Sequence, residues 1–244
     1  MTTVVLVRHG LTAMTGPVLA GRTPGVHLDD RGRAQAEAVA ARLSTVPLAA
    51  IVTSPLDRCA ETAKAVLKAQ KAAGHSPRAK TDKRLLECDY GDWTGRKISE
   101  LAKEPLWRVV QAQPSAAVFP HGEAMSAMAG RAVAAIRALD AGYAAEFGPE
   151  AVWVACSHGD VIKAILADAL GMHLDLFQRI VVDPCSVSAI RYTDGRSFVL
   201  TQNDVGTELS RLVPPPPKKG RTTRSRATSS SDATIGGGAG GGTV

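Results

Sequence analysis

Thr3-Val4-Val5-Leu6-Val7-Arg8-His9-Gly10 is the stretch from which the rest of the chain is read. Five residues of strand-forming, mostly apolar type run directly into an arginine, a histidine and a glycine. An unbroken apolar run suits a strand covered on both faces of a parallel sheet. Ligands in open α/β sheets gather at the carboxyl ends of such strands, which is where Arg8 and His9 fall. Gly10 allows a sharp turn and a close approach of backbone to ligand. A solvated strand end would look the same from these three residues alone, so the reading depends on what other strand ends contribute.

Two more apolar runs end in comparable groups. Ala49–Val52 leads into Thr53-Ser54-Pro55-Leu56-Asp57-Arg58. Ser54 is read there as an N-cap, Pro55 as the first helical residue and Asp57 as the partner in a capping box. Arg58 then projects from the first helical turn, beside the positive end of the helix dipole. Ala151–Cys156 leads into Ser157-His158-Gly159-Asp160, and a short approach at Leu85-Leu86 delivers Glu87 as a fourth strand end. Helices are expected from Asp29 or Asp30, with the stripe Ala36, Val39, Ala40 and Leu43, from about Glu123 to Phe147, and up to Leu170, where Gly171 closes the turn. Residues 11–28 and 74–83 read as loops, and residues 94–123 as an excursion carrying short helical pieces, Trp107 and Phe119. With Trp93, these form a partly apolar, lid-like element over the substrate. Strands near Ser186–Tyr192 and Phe198–Gln202 are joined through Thr193-Asp194-Gly195, a hairpin signal. The fold class is therefore α/β: three layers, with a mostly parallel central sheet and helices on both faces.

Composition narrows the class further. The chain has 244 residues, 45% hydrophobic and 21% charged, ordinary values for a globular protein. It has no apolar window of membrane-spanning length and no signal-peptide pattern at its start, so a cytoplasmic location without membrane partners is expected. Four scattered cysteines suggest free thiols rather than a disulfide framework or a zinc knuckle. Cys59 and Cys88 adjoin motif residues; they are read as small apolar packing groups, with oxidation that silences an enzyme as the sharper possibility. The net charge of +6 is not spread evenly. Five basic residues and one acid lie beyond Pro214, so four of the six positive charges belong to the tail. Residues 1–212 are assigned to one domain. Residues 213–244, rich in Pro, basic residues and Gly, are assigned to a disordered tail, and a nucleic-acid partner is not expected.

Arg8, His9, Arg58, Glu87 and His158 are the parts that phosphoryl transfer through a covalent intermediate requires. A neutral imidazole can attack phosphorus. Guanidinium groups grip the non-bridging oxygens. A protonated carboxyl can donate to the leaving oxygen and then serve as base for water. The ordered set Arg8-His9-Gly10, Ser54-Pro55-Leu56-Asp57-Arg58, Leu86-Glu87 with Tyr90-Gly91-Asp92-Trp93, and Ser157-His158-Gly159 resembles the histidine phosphatase superfamily, whose fold is phosphoglycerate-mutase-like. The resemblance spans roughly residues 3–205. It implies His9 as the phosphorylated residue, Arg8, Arg58 and His158 as the phosphate pocket, and Glu87 as proton donor. It also implies Thr15 and Arg22 among the substrate-binding residues, no metal, no cofactor, and a small phosphorylated metabolite as partner. Thr15 stands where the family carries an asparagine. Cys88 stands where the family's mutases carry a basic residue after the proton-donor glutamate, which favours a phosphomonoester hydrolase over a mutase. His121, in Pro120-His121-Gly122-Glu123, is a candidate for the pocket rim. The alternatives outside this class are a metallohydrolase, for which no HExxH-type pairing exists, and a catalytically silent phospho-binding module recruited through the basic tail.

Overall fold

The computed structural model describes residues 2–206 and 235–238. Its centre is a six-stranded sheet in the order β3-β2-β4-β1-β5-β6. The strands are β1 (Thr3–Arg8), β2 (Ala50–Thr53), β3 (Arg78–Thr81), β4 (Val152–Ser157), β5 (Val187–Tyr192) and β6 (Ser197–Asp204). β1, β2, β3 and β4 pair in parallel, whereas β5 runs antiparallel to both β1 and β6. The expected hairpin at Thr193-Asp194-Gly195 therefore joins β5 to β6.

Helices cover both faces, and each face has its own apolar core. On one side α1 (Asp30–Leu43) and α2 (Asp57–Ala72) pack over Val5, Val7, Ile51, Val154 and Cys156. On the other, α5 (Met125–Phe147) and α6 (Gly159–Ala169) pack over Val4, Leu6, Val52, Trp153 and Ala155. Alternate residues of β1 thus feed opposite cores, as the period of two in a strand requires. The strand is buried on both sides, which is why its sequence is continuously apolar. The stripe expected for α1 is buried throughout, and Asp29 caps the helix by accepting from the Gly32 amide at 2.7 Å.

Three local expectations are corrected. Residues 78–81, read as loop, form β3. All four of its residues are exposed, because it is the charged edge of the sheet and carries no apolar face to read. Leu85-Leu86 is not a strand: Lys83–Leu85 is a single 3-10 turn capped by Asp82, so Glu87 arrives from a loop. Ser54 does not cap α2, whose N-cap is Leu56, and the Asp57 carboxylate accepts from the Gly25 amide instead of closing a capping box.

Within the 94–123 excursion, α3 (Ile98–Leu101) precedes α4 (Pro105–Ala112), which starts on its proline. Trp107 and Phe119 are buried with Trp93 against the α5–α6 core. Trp93 stacks on Trp107 at 6.2 Å and meets Phe119 edge-on at 5.3 Å. These aromatics fill the interior of the fold. The disordered-tail expectation for 213–234 and 239–244 falls outside the described residues. Ile235–Gly238 is described, and Ile235 is buried in the α6-side core.

One packing contact ties the sheet edge to α1. A Cβ on Gly32 would lie 2.0 Å from the carbonyl oxygen of Leu11, and one on Gly10 would lie 2.5 Å from that of Gly32. Both obstacles are backbone, which cannot swing aside. Gly→Ala inside an exposed helix ordinarily stabilises by up to about 1 kcal/mol. Here Gly32→Ala is expected to destabilise by about 1–3 kcal/mol, the range for overpacking, read as a lower urea midpoint with an unchanged slope.

Candidate active site

β1, β2 and β4 end level with one another, and backbone pairing continues one residue beyond each end. The His9 amide donates to the Ser157 carbonyl at 3.0 Å, and the Ser54 amide to that of Cys156 at 2.9 Å. This brings Arg8-His9, Ser54 and Ser157-His158 to one edge of the sheet. α2 leaves the same edge and contributes Arg58.

Arg8, His9, Arg58, Glu87 and His158 are all buried together, none more than 6% exposed. The His9 ring is fixed at both nitrogens. Its Nδ1 lies 2.8 Å from the Gly10 carbonyl, which can only accept, so Nδ1 carries the proton. Its Nε2 receives a hydrogen bond from Arg58 Nε at 3.3 Å, so Nε2 carries the lone pair. Burial, followed by the charges of Arg58 and Arg8, holds the His9 pKa well below the usual imidazole range. The ring is thus neutral, with Nε2 available as a nucleophile.

His158 is oriented by the same logic. Arg58 Nη2 donates to His158 Nδ1 at 3.3 Å, which leaves the proton on Nε2, 2.7 Å from Ser54 Oγ. Burial first, then Arg58, His9 and Arg8, keep this ring neutral as well. The two imidazoles meet edge to face, 5.3 Å apart. Arg58 Nη2 also donates to the Gly21 carbonyl at 2.7 Å, whereas its buried Nη1 has no hydrogen-bond partner among the described residues. A buried guanidinium with a spare donor is a seat for an anion.

Glu87 faces this cationic cluster. Burial, and after it the charge of Asp160, raise its pKa to about 7, against the opposing pull of the Cys88 amide, Arg58 and Arg8. A carboxyl poised there exchanges its proton near neutral pH. Its backbone is clamped from two sides: Arg22 Nε and Arg131 Nη2 both donate to the Glu87 carbonyl, at 2.9 and 3.0 Å. The two arginines are bridged by the Glu123 carboxylate, at 2.8 and 2.6 Å.

A cavity of about 40 Å³ opens onto these groups, lined by Arg8, His9, Thr12, Thr15, Arg58 and Glu87 among others. His158 is not among the residues that line it. Thr15 is at the lining, its hydroxyl 2.9 Å from that of Thr12. Arg22 is not at the lining, because Asp89, Glu123 and the Glu87 carbonyl take its donors. His121 is also outside, with its side chain 85% exposed and paired to Asp92. Cys59 and Cys88 are fully buried free thiols, and burial pushes the Cys88 thiol further from the reactive thiolate.

Sequence reasoning missed Arg131 and Glu123, which hold Glu87 from far along the chain, and no local pattern marks them. It also missed the His158 contact of Ser54 and the role of Asp160, which accepts from the Tyr90 hydroxyl at 2.7 Å and whose charge bears on Glu87. The Gly159-Asp160 pair directly after His158 was the available signal for the latter.

The model of the histidine phosphatase superfamily (branch 1) matches residues 4–205. An uncharacterized protein of Mycobacterium tuberculosis, Rv0525, is 42% identical over 97 residues; the match covers 40% of this chain and only 45% of that relative. A probable phosphoglycerate mutase, GpmB of Proteus mirabilis, is 30% identical over 198 residues, covering 79% of this chain and 86% of the relative. Among solved structures, YhfR of Bacillus stearothermophilus superposes with a TM-score of 0.71 at 28% identity, over 84% of this chain and 98% of that one. No helix among the described residues is long and apolar enough to cross a membrane.

Proposed function

The chain belongs to the histidine phosphatase superfamily, and from that premise we propose that it hydrolyses a phosphomonoester through a phosphohistidine formed on His9. The observation that carries this reading is the His9 ring itself. It is neutral, with Nδ1 anchored to the Gly10 carbonyl and Nε2 directed at the Arg58 guanidinium, inside a cavity that Glu87 also lines.

In the first half-reaction the Nε2 lone pair attacks phosphorus and the bond to the ester oxygen breaks. Glu87 passes its proton to that oxygen, and the alcohol leaves. Arg8 and Arg58 hold the non-bridging oxygens while negative charge spreads over them. His158, tied to Arg58 and Ser54, keeps the Arg58 fork in position. In the second half-reaction the Glu87 carboxylate takes a proton from water, the hydroxide attacks phosphorus, and the phosphorus–nitrogen bond breaks. Inorganic phosphate departs, and both His9 and Glu87 return to their starting protonation states.

A mutase reading is favoured by the name of the Proteus mirabilis relative. A mutase must also hold a substrate carboxylate and a second phosphate. Among the described residues lining the cavity, Arg8 and Arg58 are the only cationic side chains, and the residue after Glu87 is Cys88. These features support hydrolysis. The test is phosphate release from p-nitrophenyl phosphate by the purified chain, with and without 2,3-bisphosphoglycerate. Release that ignores the bisphosphate is the expected result; strict dependence on it assigns the chain to the mutases. A small phosphorylated metabolite is the substrate class this pocket suits, and a cytoplasmic setting accords with its free thiols.

A further inference from the structure

Part of the cavity's lining comes from a distant segment of the same chain. Ile235–Gly238 lies across the site, with Ile235 only 2% exposed in the core on the α6 side of the sheet. The carbonyl oxygens of Gly236 and Gly238 both accept from Arg8 Nη2, at 3.1 and 2.6 Å. Gly236 has φ 73° and Gly238 φ 58°, a left-handed backbone that glycine adopts without strain. Two such residues bend the segment so that both carbonyls converge on one guanidinium nitrogen. A Cβ on Gly236 would meet Leu19 Cδ1 at 3.4 Å and the Tyr90 hydroxyl at 3.9 Å, so the segment lies in contact with the pocket wall.

We propose that the pocket is a binding site for the chain's own C-terminal segment, in which Ile235 fills an apolar seat and the Gly236 and Gly238 carbonyls take the Arg8 donor that a phosphoryl oxygen would otherwise use. The ligand class is a short peptide with one branched apolar side chain followed by glycines. With the segment seated, the cavity of about 40 Å³ has room for a few waters and falls far short of the roughly 300–1,000 Å³ of ordinary ligand sites. Substrate and segment therefore exclude each other. A phosphate dianion pairs with a guanidinium more strongly than neutral carbonyls do, so substrate displaces the segment. It does so against a competitor that belongs to the same chain and is therefore not diluted with the protein. The glycine run in 236–238, which reads as low-complexity sequence, has a structural use in this arrangement.

Only the catalytic consequence rests on the phosphatase reading; the seat itself does not. Two measurements on full-length protein test them separately. Hydrogen exchange of the C-terminal peptide is expected to show protection at 235–238 in the wild-type chain, loss of that protection in Ile235→Asp, and loss on adding orthovanadate to the wild type. In kinetics with p-nitrophenyl phosphate, Ile235→Asp and Gly236→Val are each expected to lower KM and the half-inhibiting orthovanadate concentration by about tenfold, as when a site nine-tenths occupied by its competitor is vacated. Their kcat is expected to stay within about twofold, and Ile235→Leu to behave as wild type. Unprotected amides at 235–238 in the wild type, protection that orthovanadate leaves unchanged or increases, or a KM that rises in both disruptive variants would each overturn the proposal. A protected segment that Ile235→Asp releases, in a chain with no hydrolytic activity, would leave the seat standing and remove the phosphatase reading instead.

Discussion

His9→Ala is expected to lower kcat/KM for any phosphomonoester the chain hydrolyses by about 10⁴-fold or more, the scale on which losing a covalent nucleophile acts. The ring is buried, but its own hydrogen bonds go to one backbone carbonyl and one arginine, so alanine leaves the apolar cores on both faces of the sheet intact. The thermal midpoint is therefore expected to move little, and a folded, inactive protein is the predicted product. A second readout follows the covalent bond. Wild-type enzyme quenched during turnover of a ³²P-labelled ester is expected to retain acid-labile, base-stable label, and His9→Ala to retain none. Residual turnover within about tenfold of wild type would exclude His9 as the nucleophile on the same scale. A silent phospho-binding module would show no turnover in either protein.

Glu87→Gln carries the second large effect, and its size depends on the leaving group. An alkyl ester needs a proton on the departing oxygen, and removing a general acid typically costs about 10²–10⁴-fold. p-Nitrophenolate leaves without a proton, so the first half-reaction with that ester is expected to suffer much less. The pH profile gives the direction directly. With its pKa raised to about 7, Glu87 is protonated below that pH and ionised above it. Phosphoryl transfer to His9, which kcat/KM reports, needs the protonated form, so kcat/KM for an alkyl ester is expected to fall as pH rises through about 7. Glu87→Gln should erase that limb. The second half-reaction needs the carboxylate to deprotonate water, so phosphoenzyme breakdown is expected to weaken below the same pH. A limb near 7 that persists in Glu87→Gln would assign it to another group.

The fold and the clustering of Arg8, His9, Arg58 and His158 were legible because both are written locally. The central positions of β1, Val4 to Val7, must be apolar, since their alternate side chains enter two different cores. A run of that kind followed by Arg8-His9-Gly10 announces a strand end before any contact is known. Arg58 and His158 follow similar apolar runs, so the same reading placed all three at one sheet edge. β3 escaped notice because an exposed edge strand is held by backbone pairing to β2, and Arg78-Ala79-Lys80-Thr81 carries no side-chain pattern. The Leu85-Leu86 approach misled because two apolar residues cannot distinguish a strand from a 3-10 turn in which Leu85 is buried.

What the sequence determined by itself is therefore the set of reactive groups: which imidazoles, guanidiniums and carboxyl are present, and at which turns they leave regular structure. Only the tertiary structure decided how each is tuned. Arg22 was expected at the substrate and instead holds the Glu87 backbone with Arg131, through a Glu123 bridge. Ser54 was expected to cap a helix and instead orients His158. Gly236 and Gly238, read as part of a disordered tail, reach Arg8 across more than two hundred residues of sequence. The physical reason is common to all three. Secondary structure and side-chain type follow from neighbours along the chain, whereas a proton's position, a carboxyl's pKa and a guanidinium's partner follow from burial and from charges that folding brings within a few ångströms.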